Sequence, residues 1–298
     1  MVRPANFGFN VETAQNNAFQ VNDTSLSKQE IKDKAALEFD GLAQKLLLAG
    51  VDVFIVEDTP TPVNPDAIFP NNWVSFHENG SVITYPMFAP VRRNERREEI
   101  LDAIAERFEI KKRIHFEYGE DENKFLEGTG SMVIDRQNQI VYACKSIRTH
   151  EEMLDLFCRE MEVKKVVFDA VDEEGTPIYH TNVMMALGET FVVICLDSIR
   201  DIDQRHMLLE VFEETDKEII EISLDQMKAF AGNMLQVKNK AGEPILVMSE
   251  QAYESLEEEQ IKQIKKHTKI LYSDISTIET YGGGSAHCMI AEIFLPVK

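Results

Sequence analysis

Asn182-Val183-Met184-Met185-Ala186-Leu187-Gly188-Glu189-Thr190-Phe191-Val192-Val193-Ile194-Cys195-Leu196 reads as two apolar strands joined by a turn, Asn182 to Leu187 and Thr190 to Leu196. An amphipathic helix over Ile202 to Glu214 and a third strand over Ile219 to Ile222 complete the unit. The same order, strand, strand, helix, strand, recurs on both sides. Upstream it runs Trp73 to Phe76, Val82 to Tyr85, Arg93 to Phe108 and His115 to Tyr118. Next come Ser131 to Ile134, Ile140 to Ala143, a helix near Glu151 to Glu160 with Met153, Leu154 and Phe157 on one face, and Val166 to Asp169. Downstream it runs Met234 to Val237, Pro244 to Met248, a helix ending near Lys266, and Ile270 to Tyr272.

First strands recur at intervals of roughly 50 to 60 residues, a period that points to radial or stacked repeats. The two ends supply a fifth copy. Met289 to Leu295 reads as a first strand, and Asn6 to Asn10, a helix over Lys28 to Ala49 and the strand Val51 to Val56 provide the rest. Joining the ends would remove exposed sheet edges and make residues 1–298 a single domain. The expected fold is α/β, a ring of five ββαβ modules closed by the N- and C-terminal segments.

Composition narrows the partners. A formal charge of −21 would repel nucleic acid and anionic membranes, and no segment approaches the roughly 18 uncharged apolar residues of a membrane span. Met1 to Asn6 opens no signal peptide, so a soluble cytoplasmic protein is expected. Cys144, Cys158, Cys195 and Cys288 lie far apart without CxxC spacing, which suggests neither a zinc cage nor a disulfide framework.

Unusual polar residues stand at matching places, just before or within the first strand of each copy. They are Asp66, Glu127, His180, Asn233 and Cys288. Taken singly, each has a structural explanation: the carboxylates fix turns, His180 is a satisfied core histidine, Asn233 caps a loop, and Cys288 is a small buried hydrophobe. In a ring, equivalent positions converge on the axis, which would bring a thiol, an imidazole and two carboxylates around one pocket. A free thiol with a pKa near ~8.5 needs a base or a positive neighbour to act as a nucleophile, and His180 can serve Cys288 in that way. Glu127 could orient His180 or bond to substrate, and Asp66 could bind an N–H-rich group. His287 is a rival base, but adjacent strand residues point to opposite faces, which favours His180.

These residues resemble the guanidino-group modifying enzymes of the amidinotransferase and arginine deiminase superfamily, whose fold is a fivefold pseudosymmetric α/β propeller, the pentein. The resemblance spans the chain and rests on Asp66 with Asn71-Asn72-Trp73, Leu126-Glu127-Gly128, the His180 motif, Arg92-Arg93-Asn94-Glu95-Arg96 and the Gly282-Gly283-Gly284 run before Cys288. Within the superfamily the chain is most similar to bacterial citrulline-hydrolysing enzymes, to which Arg3-Pro4, Phe7 and Asn10 also correspond. The resemblance implies Cys288 as nucleophile, His180 as general acid and base, Glu127 and Asp66 as substrate-orienting carboxylates, and a small-molecule amino-acid substrate. It implies no metal or organic cofactor. Arg93 is the first candidate for the substrate carboxylate and Arg3 a weaker one.

One departure bears on the substrate. Deiminases and amidinotransferases of this superfamily carry His-x-Asp where this chain has His180-Thr181-Asn182. A cationic guanidinium would lose a charge-assisted partner worth roughly 1.5 to 3 kcal/mol, whereas a neutral ureido group would not. Asn182 and Asn233 are therefore expected to face substrate, and citrulline is the expected one, giving ornithine, carbon dioxide and ammonia. Dimethylarginine-hydrolysing relatives also lack that aspartate, so a guanidine hydrolase stays open, as do an amidinotransferase with the same site and a binding module without catalysis.

Overall fold

In the computed structural model, which describes residues 1–298, the chain opens with strand β1 (Val2–Arg3). Helix α1 (Lys28–Leu48) then leads to strand β2 (Val56–Glu57), which pairs with β1 in parallel. A capping box starts α1: the Ser27 hydroxyl accepts from the Glu30 N–H, and the Glu30 carboxylate accepts from the Ser27 N–H. Ile31, Ala35, Phe39, Leu42 and Leu46 recur every three or four residues and form its buried face.

Four longer sets follow. The first is β3 (Val74–Phe76), β4 (Ser81–Thr84), α2 (Glu98–Arg107) and β5 (Lys112–His115). The second begins with the single turn α3 (Gly128–Ser131), then β6 (Val133–Asp135), β7 (Ile140–Cys144), α4 (Glu151–Met161) and β8 (Lys164–Phe168). In the third, the turn α5 (Thr181–Met184) precedes β9 (Met185–Leu187), β10 (Phe191–Ile194), α6 (Ile202–Glu214) and β11 (Glu218–Glu221). A short helix α7 (Leu224–Lys228) comes before the fourth: β12 (Leu235–Lys238), β13 (Pro244–Ser249), α8 (Glu250–Ser255), α9 (Glu258–His267) and β14 (Lys269–Ser273). Helix α10 (Ser276–Gly282) then enters the glycine run.

All four sets share one topology. The middle strand is antiparallel to the strand before it and parallel to the strand after the helix. Parallel pairing requires a crossover, and the helix supplies it. Burial on both faces explains why β10 is a continuous apolar run and not an alternating one.

The expected first strands start later than their sequence suggested. Ser131 and Asn182 lie in the helical turns α3 and α5, and a 3₁₀ turn over Pro70–Asn72 precedes β3. Glu127 and His180 sit immediately before such turns, outside the strands themselves. Gly128 permits one of these turns. Its φ is +47°, and a Cβ there would lie 2.1 Å from the Asn71 carbonyl oxygen.

The fifth copy also differs. Asn6 to Asn10 is not a strand; the pairing residues are Val2 and Arg3. Met289 to Leu295 makes only an isolated parallel bridge, Ile293 to Phe76, and a second bridge joins Val297 to Phe108. β3 offers three residues for pairing, and Pro296 has no N–H to donate, so no ladder extends.

Candidate active site

Helix α10 ends where Gly283 adopts φ +62° and returns its N–H to the Glu279 carbonyl. The loop beyond it turns Cys288 back toward the ends of α3 and α5. The Cys288 N–H donates to the Ser285 carbonyl, and the residue belongs to the buried apolar cluster that also holds Phe7, Phe69, Tyr281 and Met289. Asp66, Glu127, His180, Asn182, Asn233 and Cys288 are all 2 % exposed or less. Six polar groups buried this deeply require partners or a ligand.

Most have partners. The His180 Nε2 lies 2.8 Å from Glu127 Oε2; a carboxylate only accepts, so Nε2 carries the proton and Nδ1 presents its lone pair. Glu127 Oε2 also receives Arg148 Nη1 at 3.4 Å, and Oε1 receives the Phe88 N–H at 2.9 Å. Burial alone would raise the Glu127 carboxyl, but the Arg148 guanidinium and the His180 hydrogen bond outweigh it and hold Glu127 well below the ordinary carboxylate range. Burial lowers His180 to about 4 despite Glu127, so its imidazole is neutral at physiological pH. Tyr179 packs against the His180 ring in a tilted arrangement, with centroids 4.6 Å apart and planes at 42°, and donates its hydroxyl to the Gly283 carbonyl, tying the imidazole to the cysteine loop.

The sulfur sits among amides. Asn182 Nδ2 is 3.4 Å from Cys288 Sγ and Asn233 Nδ2 is 3.3 Å from it. The backbone sets the orientation of Asn233, whose Nδ2 donates to the Asn182 carbonyl while its Oδ1 accepts from the His287 N–H. Burial pushes the Cys288 thiol up, partly offset by these contacts. Two buried acceptors remain without partners, Asp66 Oδ1 and Asn182 Oδ1. Asp66 Oδ2 accepts from Asn10 Nδ2 at 2.7 Å, and burial raises the Asp66 carboxyl against the opposing Arg92 charge.

Arg93 does not join this group. Its guanidinium lies against Glu120, 3.3 Å away, and donates to the Met87 carbonyl, while Arg3 pairs with Asp40. Arg92 and Arg148 line the cavity beside Cys288 and His180 instead. Arg92 is fully engaged by Glu95, Asn72 and the Phe69 carbonyl. Arg148 donates to the Asn16 side chain, the Thr13 carbonyl and Glu127, so its partners outside Glu127 are neutral and exchangeable. Alternation along a 3₁₀ turn cannot distinguish Arg92 from Arg93, and nothing near Ser146-Ile147-Arg148-Thr149 marks that arginine before the chain folds. His287 is buried and lines a different cavity from Cys288. The space around the sulfur is only about 10 Å³, with Thr13, Asn17 and Gly283 among its walls.

Against this geometry, the family described as N,N dimethylarginine dimethylhydrolase, eukaryotic, matches residues 3–295. The chain belongs to this family. Membership bears out the resemblance to guanidino-group modifying enzymes and supports hydrolase chemistry of that superfamily. Solved structures agree in fold. The N-terminal domain of ArgZ, an arginine dihydrolase of cyanobacteria, superposes with a TM-score of 0.75 at 16% identity over 99% of this chain and 98% of that one. Unliganded AgrE gives a TM-score of 0.77 at 17% identity over 100% of this chain and 39% of that one, so the chain corresponds to less than half of AgrE. Dimethylarginine dimethylaminohydrolase, captured as an adduct with S-methyl-L-thiocitrulline, gives a TM-score of 0.63 at 15% identity over 97% and 96%. Comparison by sequence with curated proteins found no match. No helix is long and apolar enough to cross a membrane.

Proposed function

We propose that this family member hydrolyses the ureido group of citrulline to ornithine, carbon dioxide and ammonia through a covalent Cys288 intermediate. The observation that carries the reading is the pair of side-chain amide donors at the sulfur, Asn182 Nδ2 and Asn233 Nδ2. Where sulfur meets a ureido carbon, the carbonyl oxygen becomes an oxyanion, and donors already at that spot would stabilise it. A guanidinium carries only N–H groups and offers these donors no acceptor. Asp66 Oδ1 and Asn182 Oδ1 are free to accept the ureido N–H groups.

The chemistry balances with these residues alone. Cys288 Sγ bonds to the ureido carbon as its proton passes to His180 Nδ1; the C–N bond to the departing nitrogen breaks, and His180 hands that proton to the nitrogen. Water, deprotonated by His180 Nδ1, then attacks the thiocarbamate, sulfur leaves and takes the proton back from His180 as the restored thiol, and the carbamic acid released breaks its remaining C–N bond to give carbon dioxide and the second amine. Glu127 holds His180 in the tautomer that leaves Nδ1 free. Arg148 is the cation suited to the substrate carboxylate, which would replace its neutral partners with a charge-assisted pair.

A guanidine hydrolase is the second reading, favoured by the family's dimethylarginine description and by the similarity to ArgZ, an arginine dihydrolase. The test is incubation with citrulline, arginine and dimethylarginine separately, with ornithine, citrulline and ammonia assayed. Ornithine from citrulline is the expected result; consumption of a guanidine with citrulline untouched would replace the first reading with the second.

The same proposal takes residues 1–298 as one ring of five modules. In support, one cavity of about 830 Å³ draws its lining from all five sets: Glu78, Asp135, Gly188, Gln236 and His287 are among its walls. Gly128→Ala should then lower the midpoint of a single unfolding transition, costing about 2–5 kcal/mol for overpacking and positive-φ strain. A separate early transition for part of the chain would contradict a closed ring.

A further inference from the structure

The 830 Å³ cavity lies apart from the small space around Cys288 and shares no lining residue with it. Its volume is that of a small-molecule site, roughly 300–1,000 Å³. Charges within it fall into two groups. Lys217 pairs with Asp135 at 3.1 Å, and Lys238 pairs with Glu189, so these four neutralise one another. Arg136, Glu78 and Glu292 have no ion-pair partner within 4.0 Å.

Arg136 is held but not neutralised. Its guanidinium lies 3.9 Å from the centre of the Phe294 ring, and Nη1 lies 3.3 Å from His77 Nδ1. Burial lowers the pKa of Arg136 and raises that of Glu292, each opposed by the other's charge. Opposite charges sharing a recess would close on one another if self-pairing were their role, because leaving a charge half-buried and unpaired is costly. A further unpartnered group, the Nδ1 of buried His287, belongs to the same wall.

We propose that this cavity is a second ligand site, for a basic α-amino acid. One free cation and two free carboxylates complement a molecule with one carboxylate and two cationic groups. The carboxylate would lie on Arg136, and the two cationic groups on Glu78 and Glu292. His287 precedes Cys288 and donates its N–H to Oδ1 of Asn233, whose Nδ2 contacts the sulfur, so an occupant touches the wall behind the nucleophile. The site is independent of which substrate Cys288 attacks.

L-Lysine is the probe, because it has neither a ureido nor a guanidino carbon and is not consumed. Calorimetric titration of the whole protein should show binding that falls at least about tenfold in Glu292→Gln and in Glu78→Gln, the loss of one charge-assisted contact. L-Norleucine, which lacks the side-chain ammonium, should bind at least about tenfold more weakly for the same reason. Arg148→Gln, which alters only the Cys288 side, should leave lysine binding in place. Glu78 is exposed, so its variant keeps the test available if Glu292→Gln does not fold. Absence of lysine binding, binding unchanged in the Glu78 variant, or binding lost in Arg148→Gln would each overturn the proposal.

Discussion

Cys288→Ser is expected to reduce turnover by about 10⁴-fold or more, because the covalent intermediate then has no competent nucleophile. A hydroxyl in the same place keeps the amide contacts but is far harder to ionise than the thiol. The variant should stay folded, since sulfur to oxygen changes little volume. Product formation by the purified variant within tenfold of the wild type would refute a cysteine mechanism. A companion measurement separates the thiols. Burial pushes Cys144 up to about 12 and Cys158 and Cys195 up to about 11, and it also raises Cys288. Alkylation by iodoacetamide should therefore accelerate with pH beyond the ordinary thiol range of about 8.5, and activity should be lost in step with labelling of Cys288.

Glu127→Gln is the second large effect, expected to lower kcat by about 10²–10⁴-fold. Two causes act together. The amide can donate to His180 and so permit the wrong tautomer, and it leaves the Arg148 guanidinium without its buried carboxylate. Stability should fall by about 3–5 kcal/mol, the cost of an uncompensated buried charge. A variant with kcat within threefold of the wild type would remove Glu127 from the mechanism. The wild-type pH dependence follows from His180. Its folded pKa of about 4 lies below the 6.5 of an unperturbed histidine, so its contribution to stability is complete above pH 6.5 and is lost as the pH falls toward 4. Activity that requires the neutral imidazole should fall over the same acid limb.

Much of the site was legible before folding because its residues recur at one place in a repeating pattern. Cys288, His180, Glu127, Asp66 and Asn233 were marked by their matching places in the copies and Asn182 by the resemblance, and the structure buries all six close to one another. What the pattern missed lies at turns. Arg93 was the expected carboxylate partner, yet a 3₁₀ turn over Pro90–Glu95 directs it to Glu120 and places Arg92 inward. The strand assigned to Met289 to Leu295 was also too regular, because apolar character reports burial, and here burial comes without a ladder.

Hydrophobic periodicity is local, set by the pitch of a helix or the pleat of a strand, and it was enough to establish the ββαβ order and its polar landmarks. Contacts between distant segments carry no such period. Arg148 meets Asn16 across 132 residues, Tyr179 meets Gly283 across 104, and Arg136, Glu78 and Glu292 share a cavity although each looks like a solvated surface charge in the sequence. The residue types and their order thus determined what chemistry the chain can perform. Only the tertiary structure decided that Arg92 and Arg148, and not Arg93, lie beside Cys288 and His180, and that a second charged cavity lies behind them.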